Sequence, residues 1–443
     1  MGTRPMARPA ARPTAGADRW NTIRTQLHGK LVSALTPEQL KNLSKDGVRD
    51  QIATVTDRFV QEAGIPMTTV EKDRLIEEVL DEVFGLGPLE PLMNDPSVSD
   101  IMVNGYDSVY VERAGQLVET PVRFKDQAHV RMTIDRIVSN IGRRIDDSSP
   151  IVDARLADGS RVCAVIPPLS LIGPVLSIRR FGKKLLGADD LLRNQTLTPG
   201  MLQFLEAAVR ARLNIIISGG SGSGKTTLLN NLSRFIPEEE RIVTIEDVAE
   251  LQVQQEHIVR LETRPTNIEG AGGISQRDLV INALRMRPDR ILIGECRGGE
   301  ALDMMQAMNT GHDGSMTTCH ANTARDAFSR LETMVMMASS AIPDRVIRQM
   351  LASAVQIVIQ VLRLIDGSRK ILSISEVTGV EEDFVDIRDI FVFDREGIDA
   401  RGKAVGVFRA TGYRPLCLDR LKAYGQHIDD SIFSESVRVG EAV

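Results

Sequence analysis

Residues 219–227 read GGSGSGKTT, directly after the apolar run Asn214–Ser218 and directly before a helical run carrying Leu228, Leu229 and Leu232. Strand, glycine-rich loop and helix in that order are the setting in which G-x-x-x-x-G-K-[ST] binds phosphate. Glycines let the chain wrap so that successive backbone N–H groups point inward, and the start of the helix adds partial positive charge. Gly220, Ser221, Gly222, Ser223, Gly224, Lys225, Thr226 and Thr227 are therefore the candidate nucleotide-binding residues. Lys225 is expected to reach the β and γ phosphates, and Thr226 to offer its hydroxyl to a metal ion. The implied cofactors are ATP and Mg²⁺.

Two more apolar runs extend the pattern. Residues 290–295 read RILIGE, a strand that ends in a carboxylate. Ligands in open α/β sheets sit at the carboxyl ends of the strands, so Glu295 is expected beside the phosphates, holding Mg²⁺ through water. A strand over 241–245 is followed by Glu246, Asp247 and Glu250. Carboxylates after a core strand are usually a solvated turn, but here they lie between the phosphate loop and the Glu295 strand, which suits orienting or deprotonating an attacking water.

Outward from this centre, residues 183 to about 322 alternate strand, loop and helix, the rhythm of an α/β domain with a largely parallel sheet. Beyond them, one helix over 343–355 precedes segments at 357–364, 371–377 and 384–393 that read as antiparallel strands. On the N-terminal side, residues 94–182 read as a small α+β domain, with turns at Asn104-Gly105 and Ala114-Gly115 and a helix over 127–141. Residues 21–93 read as helical, Thr68 and Glu71 forming a capping box. Residues 1–20, rich in Pro and Arg, are expected to stay outside the fold.

Composition narrows the class. The chain has 443 residues, 42% hydrophobic and 26% charged, enough for two or three domains. Only 4% of residues are aromatic and the net charge is −6, so neither base stacking nor a general attraction to polyanions is provided for. No nucleic acid is expected as a partner. Cys163, Cys296, Cys319 and Cys417 stand far apart with no C-x-x-C pair, which suggests neither a zinc ribbon nor a disulfide framework and fits a reducing cytoplasm. No run is apolar for long enough to span a bilayer, so membrane contact is expected only peripherally, through partners.

The segments TIEDVAEL (244–251), RMRPDRILIGECRGGEALDMMQAMNTGHDGSMTTCHANT (285–323) and VDARLADGSRVCAVIPPLSLIGPVLSIRRF (152–181) resemble the Asp box, Walker B, His box and arginine motifs of the type II/type IV secretion ATPases. They are most similar to the CpaF/TadA branch that drives Tad (Flp) pili. The resemblance covers roughly residues 80–440. It implies a RecA-like P-loop ATPase domain, a PAS-like α+β domain before it, and a homohexamer working with inner-membrane pilus platform proteins at the cytoplasmic face of a bacterial inner membrane.

Carried over residue by residue, the resemblance makes Lys225 and Thr226 the Walker A residues and Glu295 the Walker B acid. Glu250 becomes the first candidate for activating water and Glu246 the second. His320 becomes a γ-phosphate sensor, with His312 a weaker candidate. Arg155, Arg161 and Arg179 take the positions of arginine fingers, and Arg260 and Arg264 are further candidates for the nucleotide or a subunit interface. A guanidinium fork neutralises charge that spreads over γ-phosphate oxygens. A salt-bridged sheet surface remains the other reading of these arginines. The four-cysteine zinc module of some relatives is absent from the sequence.

Three alternatives stay open on the motifs alone. A small-molecule kinase also uses a P-loop, but needs an acceptor pocket and lid and no arginine-bearing domain. A GTPase would carry N-K-x-D, which the sequence lacks. A DNA-translocating ring shares the core fold, and the weak acidity and few aromatics speak against it.

Overall fold

The computed structural model describes residues 45–113, 115–140, 143–180, 186–264, 266 and 272–439. The expected tail at 1–20 and the first part of the helical region lie outside them. The chain divides into two compact units, with the division after Lys183.

The described part of the first unit opens with α1 (Lys45–Glu62) and α2 (Thr69–Phe84). Thr68 caps α2 as its sequence predicts: the Glu71 amide donates to Thr68 Oγ1 and the Thr68 amide donates to Glu71 Oε2 at 2.8 Å. The two helices share a small apolar core built on Ile52, Phe59, Leu75 and Val79. After the short α3 (Glu90–Asn94) come β1 (Val98–Asn104), β2 (Val109–Arg113), β3 (Gln116–Glu119), α4 (Gln127–Asn140), β4 (Ile151–Arg155), β5 (Arg161–Val165) and β6 (Val175–Arg179). The strands form one antiparallel sheet in the order β3-β2-β1-β6-β5-β4. Helix α4 packs Val130, Ile134 and Ile137 against it, as the apolar spacing of 127–141 demands.

The second unit runs α5 (Ala188–Arg193), α6 (Pro199–Arg210), β7 (Ile215–Gly219), α7 (Lys225–Ser233), β8 (Ile242–Glu246), β9 (Ile258–Glu262), α8 (Gln276–Ala283), β10 (Arg290–Cys296), α9 (Glu300–Asn309), β11 (Met316–Cys319), α10 (Ala324–Ala338) and α11 (Asp344–Ala354). It closes with β12 (Ile357–Arg363), β13 (Arg369–Glu381), β14 (Phe384–Ile398), β15 (Ala404–Ala410), α12 (Leu418–Ala423) and β16 (Ser436–Val439). All its described strands join one sheet, ordered β16-β15-β14-β13-β12-β7-β11-β10-β8-β9. From β12 to β9 every pairing is parallel, and from β12 to β16 every pairing is antiparallel. Helices cover both faces of the parallel half: α6 and α7 on one, α8 to α11 on the other. This is the α/β class expected of a RecA-like P-loop domain.

The segment 357–364 departs from its sequence reading. It is not only a partner of the antiparallel strands: β12 also lies parallel against β7, with Ile357–Val361 wholly buried. A run of five buried residues reads the same whether the neighbours run parallel or antiparallel, so only the tertiary fold decides. At the opposite end of the sheet from the phosphate loop, Arg290 is fully buried and paired with Glu240, which anchors the start of β10.

Candidate active site

The carboxyl ends of β7, β8, β10 and β11 converge, and each delivers one of the motif residues. β7 is buried throughout, and its last residue, Gly219, has no room for a side chain because Val361 O and Ser223 Oγ crowd the Cβ position. The loop then turns through Gly222 at φ 66° and Gly224 at φ 98°, the left-handed region that favours glycine. Helix α7 begins at Lys225. Its buried ammonium donates to Gly219 O at 3.1 Å and Gly220 O at 2.9 Å and stands 3.4 Å from both ring nitrogens of His320. Burial pushes its pKa down, and the Glu295 carboxylate opposes that shift.

Glu295, on β10, accepts from His320 Nε2 at 3.0 Å through one oxygen and from Arg297 at 2.8 Å through the other. Burial and the neighbouring Lys225 push the His320 pKa down, so the ring is neutral near pH 7. A neutral ring that donates to Glu295 leaves its other nitrogen as an acceptor facing Lys225. Arg297 reaches further, to Asp247 at 3.4 Å, and its pKa is raised first by Glu295 and then by Asp247 and Glu250. A continuous line of polar contacts thus runs from Lys225 through His320, Glu295 and Arg297 to the Asp247 loop.

Glu246 closes the strand that its sequence reading places before it. It is buried at the end of β8, and one oxygen accepts the amides of Glu250 and Leu251, both at 2.9 Å. It thereby folds the loop that presents Glu250, the first candidate for water activation. Burial raises its pKa to about 7, against the pull of those two amides. A carboxyl whose folded value lies above its unfolded one binds more protons when folded between those values, so it subtracts stability as pH rises from about 4.5 to 7. Glu246→Gln keeps an oxygen for both amides and removes the buried charge. The variant is expected to melt several degrees above the wild type at pH 8 and to match it at pH 5, which paired melting curves would check.

Arg297 went unnoticed in the sequence, although two residues beyond Glu295 on an extended strand end it points to the same side. Removing it leaves Glu295 and Asp247 without their shared cation. Arg297→Gln is expected to lower turnover by about ten- to a hundredfold with nucleotide affinity little changed, read by steady-state rates beside a binding titration. Gln360 was missed as well. Nearly wholly buried on β12, it donates to Asn322 O at 3.0 Å and steadies the chain just after His320. Gln276 donates to Glu295 O at 2.8 Å, and Thr318 to Gly294 O at 2.7 Å.

His312 lies before β11 while His320 lies after it, so the two sit at opposite ends of that strand. The structure does not bring His312 to the cluster. Its neighbourhood is structural: its carbonyl accepts Ser315 Oγ at 2.7 Å. Arg260, on the edge strand β9, donates to Val253 O, and Arg264 donates to Gly272 O at 2.6 Å. Both are tied to nearby backbone rather than to the phosphate loop.

In the first unit, strand register sets the three candidate arginines side by side. Arg155 pairs with Arg161 across β4 and β5, and Arg161 pairs with Arg179 across β5 and β6. Arg179 in turn faces Asp100 on β1, 3.1 Å from its carboxylate.

The residues fit a bound Mg-nucleotide. The glycine turn leaves room for phosphate against backbone N–H groups, Ser223 Oγ is buried without a hydrogen-bond partner, and Lys225, Thr226 and Glu295 lie along the same edge. Among the described residues no group of three His, Cys, Asp or Glu side chains is arranged to hold a metal by itself. Thr226 and Glu295 are the residues that would hold an Mg²⁺ bound with the phosphates. When bound, Mg²⁺ neutralises β and γ oxygens.

Fold and site together define a P-loop ATPase of the RecA-like class. The type II/IV secretion system protein family matches residues 82–405, and the chain belongs to that family. A putative conjugal transfer protein of Mycobacterium tuberculosis is 37% identical over 306 residues, covering 68% of this chain and 86% of the relative. The type IV secretion system protein PtlH of Bordetella pertussis is 35% identical over 307 residues, covering 63% and 90%. Among solved structures, the VirB11 ATPase from the Brucella suis type IV secretion system, in complex with sulphate, is 30% identical and aligns with a TM-score of 0.36 over 66% of this chain and 97% of that one.

Proposed function

We propose that this protein is a motor ATPase that couples ATP hydrolysis to pilus assembly, in the manner of the Tad/Flp branch, as a homohexamer at the cytoplasmic face of a bacterial inner membrane. The observation that carries the reading is the pairing of a complete phosphate, acid and histidine cluster in one unit with a row of three arginines in the other. Arg155, Arg161 and Arg179 serve as arginine fingers for a γ phosphate, and Glu250 orients water. A small-molecule kinase has no use for such a row. Pilus platform proteins receive the motion, and membrane contact runs through them; among the described residues no helix is long and apolar enough to cross a membrane.

The relatives named for conjugal transfer and type IV secretion favour a second reading, in which the same motor serves a secretion channel instead of a pilus. Deletion of the gene separates the two: loss of surface pili supports the first, and intact pili with a lost secreted cargo supports the second. Particle images of the purified protein with a non-hydrolysable ATP analogue test the assembly. Six-fold rings are expected, and a monomer at micromolar concentration with nucleotide would refute the motor.

A further inference from the structure

Strand β13 opens with two adjacent cations, Arg369 and Lys370, that none of the motifs includes. Neighbouring residues of a strand project to opposite sides, so the pair has two different partners. Arg369 Nε donates to Gly222 O at 3.4 Å, and its aliphatic stem lies 3.7 Å from where a Cβ on Gly224 would stand. In a peptide group the N–H points opposite the C=O. A guanidinium holding the Gly222 carbonyl therefore also fixes the Ser223 N–H, which closes the glycine turn on Gly220 O at 3.4 Å. Lys370, only 3% exposed, donates to Asn194 O at 3.1 Å and Gln195 O at 2.6 Å, at the C-terminal turn of α5. The next amide, Ile371 N, donates to Thr196 O at 2.9 Å.

The other end of the same segment is also held from the phosphate site. Asn231 of α7, 2% exposed, donates from one side-chain nitrogen to Thr227 O and to Leu186 O, at 2.8 and 2.9 Å. Residues 186–196, the first described stretch of the second unit, are thus fastened at one end to the helix of the phosphate loop and at the other to the strand that braces the loop. A buried ammonium on helix-end carbonyls is a firm anchor, because withdrawing it would leave a charge and several carbonyls unsatisfied.

We propose that Arg369 and Lys370 are positioning residues that tie the phosphate-binding loop to the segment 186–196, so that nucleotide on the loop tightens that segment. The proposal rests on the reading of the loop as a nucleotide site. A signal entering 186–196 arrives next in sequence to the division between the units, where a motor needs it.

The test is hydrogen exchange on the full chain with and without Mg-ADP, beside an ADP titration. In the wild type, ADP is expected to slow exchange of the 190–196 amides about five- to tenfold. Lys370→Met, which keeps the stem and loses the ammonium, is expected to bind ADP within about threefold of wild type and to lose that slowing. Arg369→Gln is expected to raise the ADP dissociation constant about fivefold and to lose the slowing too, and Arg369→Lys to restore part of both. A purely packing role would lower the melting temperature and leave the ADP-dependent slowing intact. Should Lys370→Met fail to fold, the half-buried Arg369 still carries the test. Wild-type slowing retained in the variants overturns the proposal while the nucleotide site stands. A wild type that binds no ADP, like Lys225→Ala, overturns both.

Discussion

Lys225→Ala is expected to lower ATP turnover by about a hundred- to a thousandfold or more, and to weaken nucleotide binding as well. The ammonium is buried at the mouth of the glycine turn, tethered to the Gly219 and Gly220 carbonyls and facing the His320 ring. Among the described residues no other lysine stands in this cluster, so alanine removes the cation nearest the glycine turn. Glu295→Gln should behave differently. It keeps the shape of the side chain but removes the charge that holds Arg297 and His320, so the variant should bind ATP and fail to cleave it. Chelation of Mg²⁺ should stop turnover in every form, because the β and γ oxygens then lose their main neutralising charge. Near wild-type turnover in Lys225→Ala, measured by phosphate release, would sink the assignment of the loop.

The second large effect is expected at the arginine row. Arg161 lies in register between Arg155 and Arg179, so it has a guanidinium opposite it on both neighbouring strands. Arg161 is half-buried, and a single charge at the surface of a sheet contributes little to stability, so alanine should leave melting nearly unchanged. Hydrolysis should nevertheless fall by about a hundred- to a thousandfold if the side chain meets charge developing on the γ phosphate. Arg179→Ala should lose comparably, although it also gives up the ion pair with Asp100, which is exposed and contributes little. A fragment of residues 186–443, lacking the row altogether, should hydrolyse as poorly as the point variants. A kinase or a self-sufficient ATPase predicts full activity in all three. That outcome, with normal melting curves, would leave the first unit as a docking module.

What the sequence by itself determined is what contiguous residues can encode. The phosphate loop is legible because strand, glycine turn, Lys225 and helix start follow one another without interruption, and the local backbone does the rest. The capping box at Thr68 and Glu71 is local in the same sense, and so is the carboxylate of Glu295 at the end of an apolar run. The family resemblance added the arginines and His320. The tertiary structure alone decided which of these residues meet. Arg297 and Asp247 are 50 residues apart, Gln360 and Asn322 are 38 apart, and Arg369 and Gly222 are 147 apart. The first two pairs touch because parallel strands joined by crossover helices return to the same edge, the third because β13 turns back beside β12 next to the phosphate loop, and no spacing along the chain announces either return. The arginine row has a similar origin: three residues scattered over 155–179 become neighbours through the register of β4, β5 and β6, and register is settled by which faces the sheet must bury.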